Sequence, residues 1–182
     1  MSTYIAFLRG MNLGKRRIKN PELVACFEDM GFAGAVAVQA SGNVIFDGGG
    51  RTEAELKSRI ESGLQTRLDY AVPTRLRSGA EVRAIAEAHP FDAATLAGTE
   101  GRVQVILIDG GADITLDADV QAAIRAEQPA DDRLIFEGRQ IFWLPKAGLS
   151  TSAFDQKALD RRLGITTVRT WRTFGRLAKK LP

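Results

Sequence analysis

Cysteine and histidine are almost missing: the chain of 182 residues has one of each. A single cysteine, Cys26, excludes an internal disulfide and a multi-cysteine metal site. A single histidine, His89, leaves no Ser-His-Asp triad to defend and too few of the usual zinc ligands. No apolar run approaches the ~20 residues that span a bilayer, so no membrane partner is expected. The opening "MSTYIAFLRG" has no basic region ahead of its short apolar run and reads as a first strand, not a signal peptide. Sparse cysteine fits a reducing cytoplasm. No cofactor fingerprint is present; Gly10-Met-Asn-Leu-Gly14-Lys15 has the wrong spacing for a P-loop. The expectation is therefore no cofactor, no metal and no complete catalytic constellation.

What is there is ordinary in bulk and uneven in distribution. Hydrophobic residues make up 45% and charged residues 26%, a globular composition at a length that suits one medium domain or two small lobes. Net charge is only +3. Residues 9–19 nevertheless hold five basic side chains (Arg9, Lys15, Arg16, Arg17, Lys19) and no acid, and residues 166–182 hold five more (Arg169, Arg172, Arg176, Lys179, Lys180), again without an acid. The remaining 15 basic residues face all 22 acidic ones, so the chain is acidic apart from two basic segments.

Periodicity divides the chain in two. "TYIAFL" (Thr3–Leu8) is β-rich and bounded by Arg9-Gly10. "NPELVACFEDMGF" predicts a helix with Asn20 as N-cap, Pro21 at N1, and Leu23, Val24, Phe27 and Met30 on one face. "AVAVQASGNVIFDG" predicts a hairpin about Ser41-Gly42. Residues 51–70 predict a helix with Leu56, Ile60, Leu64 and Leu68 at four-residue spacing and a Thr52/Glu55 capping box. "VPTRLR" closes the β-α-β-β-α-β order of a ferredoxin-like lobe. A helix, "AEVRAIAEA", and an irregular link through His89-Pro90 to Gly101 follow. The second half reads strand ("RVQVILID"), helix ("DADVQAAIRAE"), hairpin turning at Glu137-Gly138, helix ("SAFDQKALDRRLG") and a short helix from about Trp171 to Leu181. The expectation is an α+β protein of two ferredoxin-like-type βαββα lobes from an internal duplication with a C-terminal helix. Its divisions are 1–78, 79–101 and 102–182.

Three stretches in order, "FLRGMNLGKRRIKNPEL", "VQASGNVIF" and "LGITTVRTWRTFGRL", resemble the DUF1697 family, bacterial proteins of undefined function. That family shows LRGINVG, a loop ending in isoleucine, an SGNV-F hairpin, and an LG followed by T-x-R-N-W-N-T. The resemblance runs from Tyr4 to about Leu181. Thr170 and Arg172 stand here in place of the asparagines flanking Trp171, and Lys157 is the nearest match to a lysine ahead of the penultimate helix. The resemblance implies a duplicated α+β fold and no established activity.

The candidate anion-binding residues are Arg9, Asn12, Lys15, Arg16, Arg17, Ser41, Asn43, Arg169 and Arg172. Glycines let backbone N–H groups approach an anion, and Lys and Arg supply charge and forked donors. A solvated loop whose Arg9 pairs with a carboxylate would use the same residues. Ser41 and Asn43 would equally suit a plain hairpin turn. Arg169 lies just before a helix start, a favourable place for an anion. In that helix Trp171, Phe174, Leu177, Ala178 and Leu181 form an apolar stripe, with Arg172, Arg176, Lys179 and Lys180 off it. Asp117, Asp119, Asp131 and Asp132 suit a helix N-terminus and a turn better than a magnesium site. The first functional expectation is non-enzymatic binding of nucleic acid or nucleotide phosphate. The alternative is a binder or enzyme for a small anionic metabolite in a cleft between the lobes. A partner-binding domain is a third reading, because the fold hosts many unrelated jobs.

Overall fold

The structure, a computed structural model, describes residues 2–11, 17–99, 102–110, 116–149 and 151–182. Asn12, Lys15 and Arg16 lie outside the described residues. Contacts group the chain into two compact units, Met1–Ala86 with Phe174–Pro182, and Glu87–Thr173.

The first unit runs β1 (Thr3–Leu8), α1 (Asn20–Asp29), β2 (Val36–Val38), β3 (Asn43–Asp47), α2 (Glu53–Leu68), β4 (Thr74–Ser78) and α3 (Gly79–Glu87). Its sheet is antiparallel, in the order β2-β3-β1-β4. Register assigns the faces. Ala6 pairs with Val44 and Leu76, and these three join Leu23, Phe27, Leu56, Ile60 and Leu64 from α1 and α2 in one buried cluster. The four-residue spacing on α2 thus marks its buried stripe, each leucine or isoleucine contributing roughly 1.5–3 kcal/mol. Thr52 and Glu55 form the complete capping box. In α2, Gly63 lets α1 approach: a Cβ there would overlap the Met30 side chain. Helix α1 starts at Asn20 itself, with Lys19 at the cap position making no side-chain bond. Pro21, already committed to helical φ, sets this start in place of an asparagine cap.

The second unit runs α4 (Ala93–Ala97), β5 (Gln104–Leu107), α5 (Ala118–Ala126), β6 (Arg133–Glu137), β7 (Gln140–Leu144), α6 (Gln156–Leu163) and β8 (Thr167–Thr170). Its antiparallel sheet has the order β6-β7-β5-β8, the same positional order as the first. Its core gathers Ile106, Ile108, Ile124, Leu134, Ile141, Trp143 and Leu159. The fold is mixed α+β with two similar lobes, and the second lobe is more complete than the sequence suggested. Strand β8 supplies a fourth strand where "TVRT" reads as the approach to a helix. The last helix, α7 (Trp171–Ala178), begins directly after it.

Element order draws 102–182 as one segment, yet 174–182 group with the first unit. Phe174 is fully buried and stacks on Phe7 of β1, ring centroids 5.3 Å apart. The Pro182 carbonyl accepts a hydrogen bond from Arg83 on α3. The predicted apolar stripe is the buried side of α7: Phe174 and Leu177 are at 0% exposure, while Arg172, Arg176, Lys179 and Lys180 are exposed.

Candidate anion-binding site

At the end of β1 three segments of the first unit converge. The Leu8 N–H donates to the Gly42 carbonyl (2.8 Å), and the Arg9 N–H to the Pro73 carbonyl (2.9 Å). The Tyr70 hydroxyl reaches the Met11 carbonyl at 3.5 Å. The chain therefore enters the basic stretch anchored on both sides, by the turn at 39–42 and by the entry to β4.

The turn itself is closely built. Gly42 has φ +72°, and a Cβ there would sit 3.1 Å from the Leu8 Cβ, so both conformation and space call for glycine. Gln39 also has positive φ, +63°, without glycine's freedom. Its Oε1 is buried and makes no hydrogen bond among the described residues. Two such features in one residue cost on the order of 2–5 kcal/mol together. Asn43 is fully buried and donates from Nδ2 to the Val38 carbonyl (3.0 Å) and to Ser41 Oγ (2.8 Å). Asn43 thus braces the turn from inside, Ser41 is exposed at its tip, Arg9 is half-buried and Arg17 exposed.

Arg169 and Arg172 belong to the second unit. Arg169 sits on β8, where Nη1 donates to Thr167 Oγ1 (2.9 Å) and to the Val168 carbonyl (2.8 Å). Burial pushes its guanidinium down to about 10, which still leaves it charged at neutral pH. Arg172 is exposed in the first turn of α7. Sequence reasoning missed two further strand arginines, Arg75 and Arg77 on β4, at 5% and 1% exposure. Their Nη1 groups donate to the Thr74 and Leu76 carbonyls (2.9 and 2.7 Å). The signal was available: "TRLRS" alternates as a strand should, with arginine on the face that Phe7 and Ile5 share.

The aromatic pair of β1 offers no stacking platform. Phe7 is covered by Phe174, and Tyr4, on the other face, stacks with Phe46 at 6.2 Å. Cys26 is buried, and that burial pushes its thiol up, with Arg67 opposing. His89 packs edge-on against Trp171, ring centroids 6.0 Å apart. Asp117 caps α5 by accepting the Val120 N–H (2.8 Å). Asp132 accepts Trp143 Nε1 (2.8 Å) and Ser152 Oγ (2.9 Å). Among the described residues no three His, Cys, Asp or Glu side chains gather as a metal site, and no helix is long and apolar enough to cross a membrane.

Two antiparallel sheets of identical strand order define a duplicated ferredoxin-like α+β protein. A solved structure of the conserved bacterial protein SP0830 from Streptococcus pneumoniae has this fold: TM-score 0.75, 23% identity, covering 100% of this chain and 98% of that one. The chain belongs to the DUF1697 family, proteins of unknown function, whose family model matches residues 1–142. No curated protein matches the chain.

Proposed function

We propose that the protein is a non-enzymatic binder of phosphate-bearing ligands, nucleic acid above all, through the basic stretch that follows β1. The observation that carries this reading is internal. In the second lobe the stretch in the same topological position, residues 108–117, holds Asp109, Asp113 and Asp117 and no basic residue. One fold position therefore carries opposite charge in the two lobes, so folding does not demand the basic charge of residues 9–19. The energetic cost borne at Gln39, beside this stretch, supports the same reading, because such strain persists where surrounding structure holds a shape for use. With Phe7 and Tyr4 both engaged inside the first unit, contact runs to phosphates and not through base stacking on the sheet.

The test is binding of labelled mixed-sequence DNA and RNA oligomers across a salt series, with wild type, Arg16→Ala/Arg17→Ala and Arg169→Ala. Expected is a linear fall of log affinity with log salt, its slope shallower by about 1.4–1.8 in the double variant, roughly 0.7–0.9 per phosphate contact. No binding at low salt, or an unchanged slope in the double variant, overturns the reading.

A further inference from the structure

Helix α7 and the turn after it turn a basic, acid-free face to solvent, and the function proposed above does not use it. The apolar side of the helix is already taken. Phe174 stacks on Phe7, and a Cβ on Gly79 would lie 3.6 Å from both Leu181 Cδ1 and the Thr3 carbonyl oxygen. The helix therefore runs against the direction of β1, from Phe7 back toward Thr3, over the sheet face opposite α1 and α2.

Arg176, Lys179 and Lys180 stand at i, i+3 and i+4, the spacing of side-chain neighbours on a helix. The turn carrying the lysines is held by the Lys179 N–H on the Gly175 carbonyl (3.3 Å) and the Lys180 N–H on the Leu177 carbonyl (2.8 Å). All three side chains are exposed and make no hydrogen bond or ion pair among the described residues. Like charges at these spacings repel and lower helix stability, so folding gains nothing from the arrangement.

Their surroundings do not pair them. Glu81 of α3 accepts the Ser78 N–H (2.8 Å) and hydroxyl (2.9 Å). Asp47, opposite Thr3 and on its face of the sheet, accepts the Gly49 N–H (3.0 Å). Arg83 of α3 donates to the Pro182 carbonyl. The occupant follows from what the face lacks. The exposed large hydrophobic side chains among the described residues, Val36, Leu96, Leu149 and Ile165, lie on neither α3 nor α7. A protein partner would call for an apolar centre, and a bilayer would call for the apolar side of α7, which is buried. A phosphate polymer calls only for spaced cations.

From these observations we infer that Arg176, Lys179 and Lys180 form a second phosphate-contact surface, along which the nucleic acid held by the stretch after β1 continues; this rests on the phosphate-binding reading of that stretch. Strand β1 is six residues long and separates the two contacts by about 20 Å. A strand that reaches both is held through linked contacts.

The test is the salt series of labelled mixed-sequence DNA and RNA oligomers on the full chain carrying Arg176→Ala/Lys179→Ala/Lys180→Ala. A control, Arg102→Ala/Arg133→Ala/Lys146→Ala, removes the same charge from exposed positions of the second unit. Alanine keeps helix propensity, and circular dichroism checks the fold of each variant. Expected is a slope of log affinity against log salt shallower by about 2.1–2.7 in the α7 variant, roughly 0.7–0.9 per phosphate contact, and unchanged in the control. An unchanged slope in the α7 variant, where Arg16→Ala/Arg17→Ala lowers it, overturns this inference and leaves the proposed function standing. An equal fall in the α7 variant and the control reduces the effect to net charge and overturns the inference as well. Absence of binding by the wild type overturns both.

Discussion

In the first lobe the chain leaves β1 through Arg9-Gly10 into a stretch with five basic residues and no acid. In the second it leaves β5 through Asp109-Gly110 into a stretch with three acids and no base. The hairpins differ as well. The first closes over four residues with Gln39 and Gly42 at positive φ, the second over only Gly138 and Arg139. Strand order, pairing sense and helix placement are shared. What the shared frame leaves free to vary, the charge after the first strand and the turn beside it, is where the lobes part company. That contrast separates what folding requires from what a ligand would require.

The comparison can be broken most forcefully at the C-terminus. Phe174 follows the second lobe in sequence but packs in the first unit. Phe174→Ala should cost about 3–5 kcal/mol in urea unfolding, with the loss read by amide exchange in β1 and β4. Loss confined to 87–173 would contradict the packing. Next comes Asp132→Ala, which strands the buried Trp143 indole donor in the second lobe. It should cost about 2–3 kcal/mol and leave exchange in α1 and α2 untouched.

A smaller effect belongs to the first lobe's capping box. Thr52→Ala should cost about 1 kcal/mol. Its partner Glu55 is held below its ordinary value of 4.5 by the hydrogen bonds from Thr52. A depressed carboxylate contributes stability that is complete above the unfolded value and is lost as pH falls through the folded one. Glu55→Gln should therefore flatten the acid limb of the first unit's stability profile, seen by denaturation at several pH values below 4.5. Smallest of all is the effect of Arg17→Ala on stability, within about 0.5 kcal/mol, since an exposed charge contributes little to folding. A large loss there would mean that the basic stretch serves the fold.

Much of the fold was legible because it rests on local signals. The four-residue spacing of Leu56, Ile60 and Leu64, the Thr52/Glu55 box and the stripe of α7 each announce themselves within a dozen residues. Strand β8 was not legible, since Thr167–Thr170 is short and becomes a strand by pairing with β5, more than sixty residues earlier. Membership of 174–182 in the first unit was hidden for the same reason: nothing near Phe174 names Phe7. At the candidate site the basic residues and the Ser41-Gly42 turn could be read directly, but the inward role of Asn43 could not. An asparagine at a turn looks alike whether its amide faces a ligand or, as here, the Val38 carbonyl.

The most direct measurement is an NMR titration of the full chain with a single-stranded oligonucleotide at low salt, following backbone amides in both lobes. The account predicts shifts concentrated at residues 9–19 and 39–43, with 108–117 silent although they hold the same place in the fold. Equal shifts in both stretches, or shifts confined to the second lobe, would contradict it.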